Sequence, residues 1–411
     1  MTLVAAKIAI LRSGDWLTRE RVRIVALALG AASLLGVIFL VATSDGLNDR
    51  LGRPLGTDFS NVYAAGTYVR EGKAAAPFDP AKQFLREQEI FGAATQFYGW
   101  HYPPFFLGVA AFLAAMPYAL ALLVWQGATL GLYLWMMRGV APASRGHLPL
   151  LLAFAFPAVF INLGHGHNGF LTAALFGGAL LLLDRRPIVA GILFGLIAYK
   201  PQFGVLIPFA LGASGRWRAF AASGATVLVM AGATTLLFGS DIWNAFFASS
   251  EFTRRVVLEQ GDTGWHKIQS VFSWARMWGA PVAQAYVAQA LVTIAAICAV
   301  TAIWRSRAAF AHKAAALLFG TLIATPYSLD YDLMLLAPAI AFMAAHGLAH
   351  GFAAWEKTLL AALWIVPLIA RSVAEIALVP LAVPAMLAAL IFLMVRARNT
   401  AESHSVLQPA P

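Results

Sequence analysis

The stretch "YPPFFLGVAAFLAAMP", residues 102–117, decides how the whole chain is threaded. It is apolar enough to enter a bilayer, yet short and bounded by prolines, so it reads either as a crossing or as a helix lying in the interface. The chain around it is a membrane protein by composition. Hydrophobic residues fill 60% of its 411 positions and charged residues only 12%, about half the charge of a soluble domain. An ordinary cytosolic enzyme is thereby excluded. The formal net charge of +10 sits mostly in short clusters between apolar runs, as orientation in a membrane requires, and does not point to nucleic acid. The single cysteine, Cys298, lies within an apolar run and leaves neither an internal disulfide nor a cysteine metal cage.

Working outward, the clear apolar runs are 24–43, 119–137, 148–163, 169–183, 218–239, 283–303, 314–325, 332–348, 357–377 and 380–395. A helical crossing needs roughly 17–25 such residues. The first run follows Arg19, Arg21 and Arg23 and is too long for a signal-peptide core, so it reads as a retained helix. The stretch "PIVAGILFGLIAYKPQFGVLIPFALG", 187–212, is too long for one straight helix and is broken at Lys200 and Pro201. Proline lacks the backbone donor and disfavours helix just before it, so two short helices are expected to meet at "KPQ".

The basic clusters then choose between the two readings of 102–117. If 103–117 is interfacial, alternation puts the N-terminus, Arg138 with Arg145, Arg185 with Arg186, Arg216 with Arg218, Arg305, Arg307 with Lys313, Lys357, and Arg396 with Arg398 on the cytoplasmic side, in accord with the positive-inside rule. A crossing there misplaces Arg138, Arg145 and "DRR". The expectation is an all-α polytopic protein of about twelve spans with both termini cytoplasmic. Residues 1–396 form a single integral-membrane domain, and 397–411 a polar, disordered tail.

The same alternation places the unusual polar residues on the outer side: the loop 44–118 with Asp58, the turn "GHGHNG" at 164–169, "KPQ" at 200–202, the loop 240–282, and "TPYSLDYD" at 325–332. A transporter places polar groups near the midplane and often shows repeated halves; one broken helix and no internal repeat are seen here. After Asp58, the residues Phe59, Val62, Tyr63 and Val69 recur at near-helical spacing, which describes an amphipathic juxtamembrane helix. Two readings of Asp58 stand together. It caps that helix, or it is a general base, and the positive helix end favours the ionised form that both roles need.

The ordered set "TDFSNVYAAGTYVREGK", "WHYPPFFLGVAAFLAAMP", "VWQGATL", "GHGHNGFLTAALFGGALLLLDRR", "AGILFGLIAYKPQFG" and "TPYSLDYDLMLL" resembles glycosyltransferase family 87. These are integral-membrane enzymes of the GT-C type, typified by polyprenol-phosphate-mannose-dependent mannosyltransferases. The resemblance runs from about residue 20 to 345, and its strength is the order of motifs that are weak singly. It implies a catalytic aspartate in the first extracytoplasmic loop, where Asp58 stands. It also implies a polyprenyl-phosphate-linked sugar donor, a lipid or glycan acceptor reached from outside, and a location in the cell (inner) membrane. The chain departs from the family where glutamine is usual near His167, and at Tyr331, where some relatives have histidine.

The remaining candidates each carry a plainer reading beside the chemical one. Lys200 either partners the donor phosphate or snorkels to headgroups. His165, His167 and Asn168 either hydrogen-bond the sugar or phosphate or are structural; "GHGHNG" also fits G-x-G-x-x-G but has no preceding strand. Gln202, beside the break, is a candidate substrate contact. Arg254, Arg255, His266 and Lys267 either clamp a lipid phosphate or an anionic acceptor or meet ordinary headgroups. Asp330, Tyr331 and Asp332 either contact substrate or open a helix. The D-x-D string and the histidine pair lack an evident further ligand, so no metal or other cofactor is assigned. Arg371, inside a late apolar run, either faces protein or reaches phosphate. A flippase of lipid-linked sugars and a non-catalytic envelope-assembly protein remain the alternative functions.

Overall fold

A computed structural model of the chain describes residues 3–141 and 146–405; Arg145 and the end of the tail, 406–411, lie outside them. Helices account for the described secondary structure, with three isolated β-bridges among the loops. Among the described residues, seven helices are long and apolar enough to cross a membrane: Arg19–Ala42, Tyr118–Val140, Trp217–Phe238, Val282–Arg305, Asp330–His350, Glu356–Ala377 and Ala382–Asn399. The pair Leu148–Phe154 and Pro157–His165, bent by 45°, makes an eighth if counted as one. The protein is therefore polytopic. Reaching twelve requires Gly169–Leu182, Pro187–Tyr199, Pro201–Ala213 and Phe310–Ile323 to cross as well, although helices of this length rise only about 20 Å. Phe310–Ile323 is buried along nearly its whole length. It is apolar all round because protein, not lipid, surrounds it.

The stretch 102–117 folds as a single turn, Pro104–Phe106, running into Leu107–Leu113. Such a segment spans about 15 Å, half a hydrocarbon core, and does not cross alone. It packs against Thr57–Arg70 so closely that a Cβ on Gly66 would lie 2.1 Å from the Ala110 carbonyl oxygen. The first long loop is thus a folded unit. Its own apolar cluster joins Phe59, Phe78, Phe91, Trp100, Tyr102, Phe106, Tyr118 and Trp125. Of its two main helices, Pro80–Phe91 is capped by Asp79, whose carboxylate accepts from the Ala81 and Lys82 amides. Thr57–Arg70 is enclosed by protein along most of its length.

The break at "KPQ" is present: Pro187–Leu196 tightens into a 3-10 turn at Ile197–Tyr199, Lys200 leaves helical geometry, and Pro201–Gly204 begins again. The last helix runs from Ala382 to Ser405, so residues 397–405 continue a helix where a disordered tail was expected. At the opposite ends of the chain, Arg19–Ala42 and Glu356–Ala377 are tied near their starts, where Trp16 Nε1 donates to Thr358 Oγ1 at 3.1 Å and Lys357 lies 3.8 Å from Asp15. Beyond that tie, both pack against Pro157–His165 between them.

Candidate active site

Two glycines bring the chemistry together. Gly56 (φ 68°) and Gly166 (φ 63°) both occupy the left-handed region, which glycine adopts without strain. Their backbones touch, since a Cβ on Gly166 would sit 3.1 Å from the Gly56 Cα and 2.6 Å from the Phe59 Cβ. Consequently the start of Thr57–Arg70 abuts the end of Pro157–His165. Thr57 Oγ1 lies 2.8 Å from His165 Nδ1, and Asp58 Oδ2 lies 4.0 Å from the same nitrogen.

Asp58 is not the cap of its helix. Gly56 occupies that place and no side chain caps it, and among the described residues the Asp58 carboxylate accepts no hydrogen bond. Its side chain is 25% exposed on the wall of a cavity of about 940 Å³. Burial raises its pKa above the ordinary 3.8, and His165 opposes that rise. A carboxylate of raised basicity that accepts no hydrogen bond from the described residues and faces a cavity is suited to accept a proton.

The cavity wall has two characters. Val37, Leu40, Phe160, Pro367 and Leu368 contribute apolar lining, whereas Asp58, His165, Lys267, Asp330, Tyr331 and Arg371 contribute polar lining. Arg371 Nη1 lies 3.7 Å from Asp330 Oδ2. His167 also lines the cavity, stacked on Tyr331 with ring centroids 3.5 Å apart. The turn that carries both histidines is clamped from several directions: Trp125 Nε1 donates to the Gly166 carbonyl at 3.1 Å and Gln126 Nε2 to the His167 carbonyl at 3.2 Å. Asn162 accepts from the Gly169 amide and donates to the Tyr331 carbonyl, both at 2.9 Å.

Loops distant in sequence therefore meet at one cavity, and Asp58, His165, His167, Lys267, Asp330 and Tyr331 all line it. Other expected site residues do not. Lys200 is no lone cation: its ammonium donates to Asp332 Oδ1 at 2.6 Å, both side chains buried, and it sits 5.2 Å from the Tyr331 ring centre. Asp332 is spent on that pair and on the Leu329 amide at 3.0 Å. The two aspartates of the D-x-D string thus serve different partners. Among the described residues no group of three or more His, Cys, Asp or Glu could hold a metal ion. Asn168 is buried and donates to the Tyr102 hydroxyl at 2.8 Å. Arg254 and Arg255 are exposed and pair with Glu251 and Glu259. Gln202 and His266 are partly exposed but are not part of the cavity wall.

The sequence reading missed Tyr102 and Tyr327, which also line the cavity. "WHYPP" and "TPYSLDYD" flagged their neighbourhoods, but no spacing told a lining tyrosine from a packing one. A family model described as glycosyltransferase family 87 matches residues 100–326, leaving Asp58, Asp330, Tyr331 and Arg371 outside the matched segment. No curated protein and no solved structure matches the chain.

Proposed function

The chain belongs to glycosyltransferase family 87, a membrane glycosyltransferase family of the GT-C type, and from that premise we propose that it moves mannose from a polyprenyl-phosphate donor to a lipid or glycan hydroxyl. The cavity joins apolar lining to charged lining, which suits a donor whose head is an anionic sugar phosphate and whose tail is hydrocarbon. Asp58 accepts the proton of the acceptor hydroxyl as that oxygen bonds to the anomeric carbon. The bond from the anomeric carbon to the phosphate oxygen breaks, and the phosphate leaves with the electron pair. Direct displacement inverts the anomeric centre. The observation that carries this reading is the Asp58 carboxylate, which accepts no hydrogen bond from the described residues, on the cavity wall.

The test compares purified wild type with Asp58→Asn in transfer of labelled mannose from polyprenyl-phosphate-mannose to extracted envelope lipids and glycans. Loss of a general base lowers the rate roughly 10²- to 10⁴-fold, with donor binding retained. Equal transfer by both proteins removes Asp58 from the chemistry; transfer by neither rejects the sugar, the acceptor class or the reaction. The acceptor hydroxyl is reached from the extracytoplasmic side in this reading, which the distribution of basic clusters supports.

A further inference from the structure

Resting on that reading, we infer that Lys267 and Arg371 are the residues that hold the donor phosphate, with Asp330 as the internal anion whose hold on Arg371 the phosphate replaces. The two cations come from unrelated segments. Lys267 ends the turn Trp265–Lys267, and the next residues are pinned to the 327–331 segment by the Ile268–Leu329 bridge and by the Gln269 amide donating to the Ser328 carbonyl at 2.7 Å. Arg371 projects from Glu356–Ala377. Both line the cavity that holds Asp58.

Their state of pairing separates them from other cations. Arg53 makes two bonds to Asp49 Oδ2, at 2.9 and 2.7 Å, Lys200 is paired with Asp332 at 2.6 Å and does not line the cavity, and Arg254 and Arg255 are held by glutamates. Lys267 makes no side-chain hydrogen bond or ion pair among the described residues. Arg371 is 42% exposed and its separation of 3.7 Å from Asp330 is longer than a charge-assisted hydrogen bond. The guanidinium fork therefore keeps donors for an incoming ligand.

The donors left over name the ligand class. Arg371 adds to burial in lowering the Lys267 pKa, while Asp330 and Asp58 oppose it, so the two cations and two carboxylates share one cavity. A phosphodiester, with acceptor oxygens and a single negative charge, matches the hydrogen-bond donors that Lys267 and Arg371 leave unused. When the sugar leaves, the phosphate becomes a monoester of greater charge, so the same two cations interact more strongly with the leaving group than with the bound donor. The tail has a path as well. Pro367 and Leu368 lie one turn below Arg371 and line the same cavity with Phe39 and Leu40. Phe39 and Leu368 are 52% and 51% exposed, so open apolar surface lies in the cavity beside the arginine.

The experiment measures binding of decaprenyl phosphate and of uncharged decaprenol to detergent-solubilised full-length protein by tryptophan fluorescence, taking the ratio of the two affinities as the phosphate preference. Lys267→Gln and Arg371→Gln are each expected to lower the preference roughly tenfold or more. Asp330→Asn is expected to raise it, because it removes a competing anion without changing shape; a purely structural role predicts no gain. The paired neutralisation Lys200→Gln/Asp332→Asn is expected to keep it. If Arg371→Gln is not monodisperse, Arg371→Lys keeps the charge but loses the fork, and a partial fall is expected. Unchanged preference in both the Lys267 and Arg371 variants, or a loss confined to the Lys200/Asp332 pair, overturns the assignment while leaving a lipid-phosphate donor in place. Absence of any preference in the wild type rejects the lipid-phosphate donor itself and the assignment with it.

Discussion

At the scale of single residues, the chemistry reduces to where counter-ions are. Asp58 stood out in the sequence because a carboxylate in so apolar a chain has few roles, and the structure adds that it lines the cavity and leaves its helix uncapped. Lys200 was misread for a reason no sequence discloses: its partner, Asp332, is 132 positions away in the chain. Burial has a measurable consequence for Asp58. In the proposed role of base it must be ionised, and a pKa raised above 3.8 moves the expected loss of activity to a higher pH than for a solvated aspartate. The acid limb of kcat/KM in a pH profile is expected above 3.8 and is absent from the residual activity of Asp58→Asn.

Elements were read more securely than contacts. The break at Lys200 and Pro201 followed from proline chemistry, and the brevity of Pro104–Leu113 from its flanking prolines. What the sequence did not disclose is that the first loop is a folded unit with an interior, because its helices carry too few apolar residues to announce one. Glu87 shows how that interior is tied. Its carboxyl, buried on Pro80–Phe91, accepts from the Tyr98 amide at 2.9 Å and so fixes the segment whose Gln96, Phe97 and Tyr98 line the cavity. Burial pushes its pKa up from 4.5 to about 8. The folded state then binds the proton more tightly than the unfolded one. The stability Glu87 contributes is complete below about pH 4.5 and is lost as pH rises through about 8. Thermal midpoints between about pH 5 and 9 are expected to decline less in Glu87→Gln than in the wild type; parallel curves assign the decline to other groups.

For the whole molecule, composition disclosed a polytopic helical protein, and the basic clusters supplied an orientation. The number of crossings resisted reading because enclosed helices of 14 residues, such as Phe310–Ile323, are as apolar as spanning ones. Orientation is testable with cysteine labelling. In a Cys298→Ser background, Leu51→Cys, in an exposed turn, is expected to react with an impermeant maleimide on intact cells. Arg307→Cys, also exposed, is expected to react only after permeabilisation. The reverse pattern inverts the protein in its membrane and puts Asp58 on the cytoplasmic face. The tie between Arg19–Ala42 and Glu356–Ala377 near their starts, with Phe39 and Leu368 lining the cavity and half exposed, carries one more implication. In the proposed reading, a donor tail that runs out past these residues is not enclosed at its far end. Donors with isoprenoid tails of different lengths are then expected to compete on equal terms once each is long enough to pass them, and a sharp preference for one length in a competition assay rejects that path.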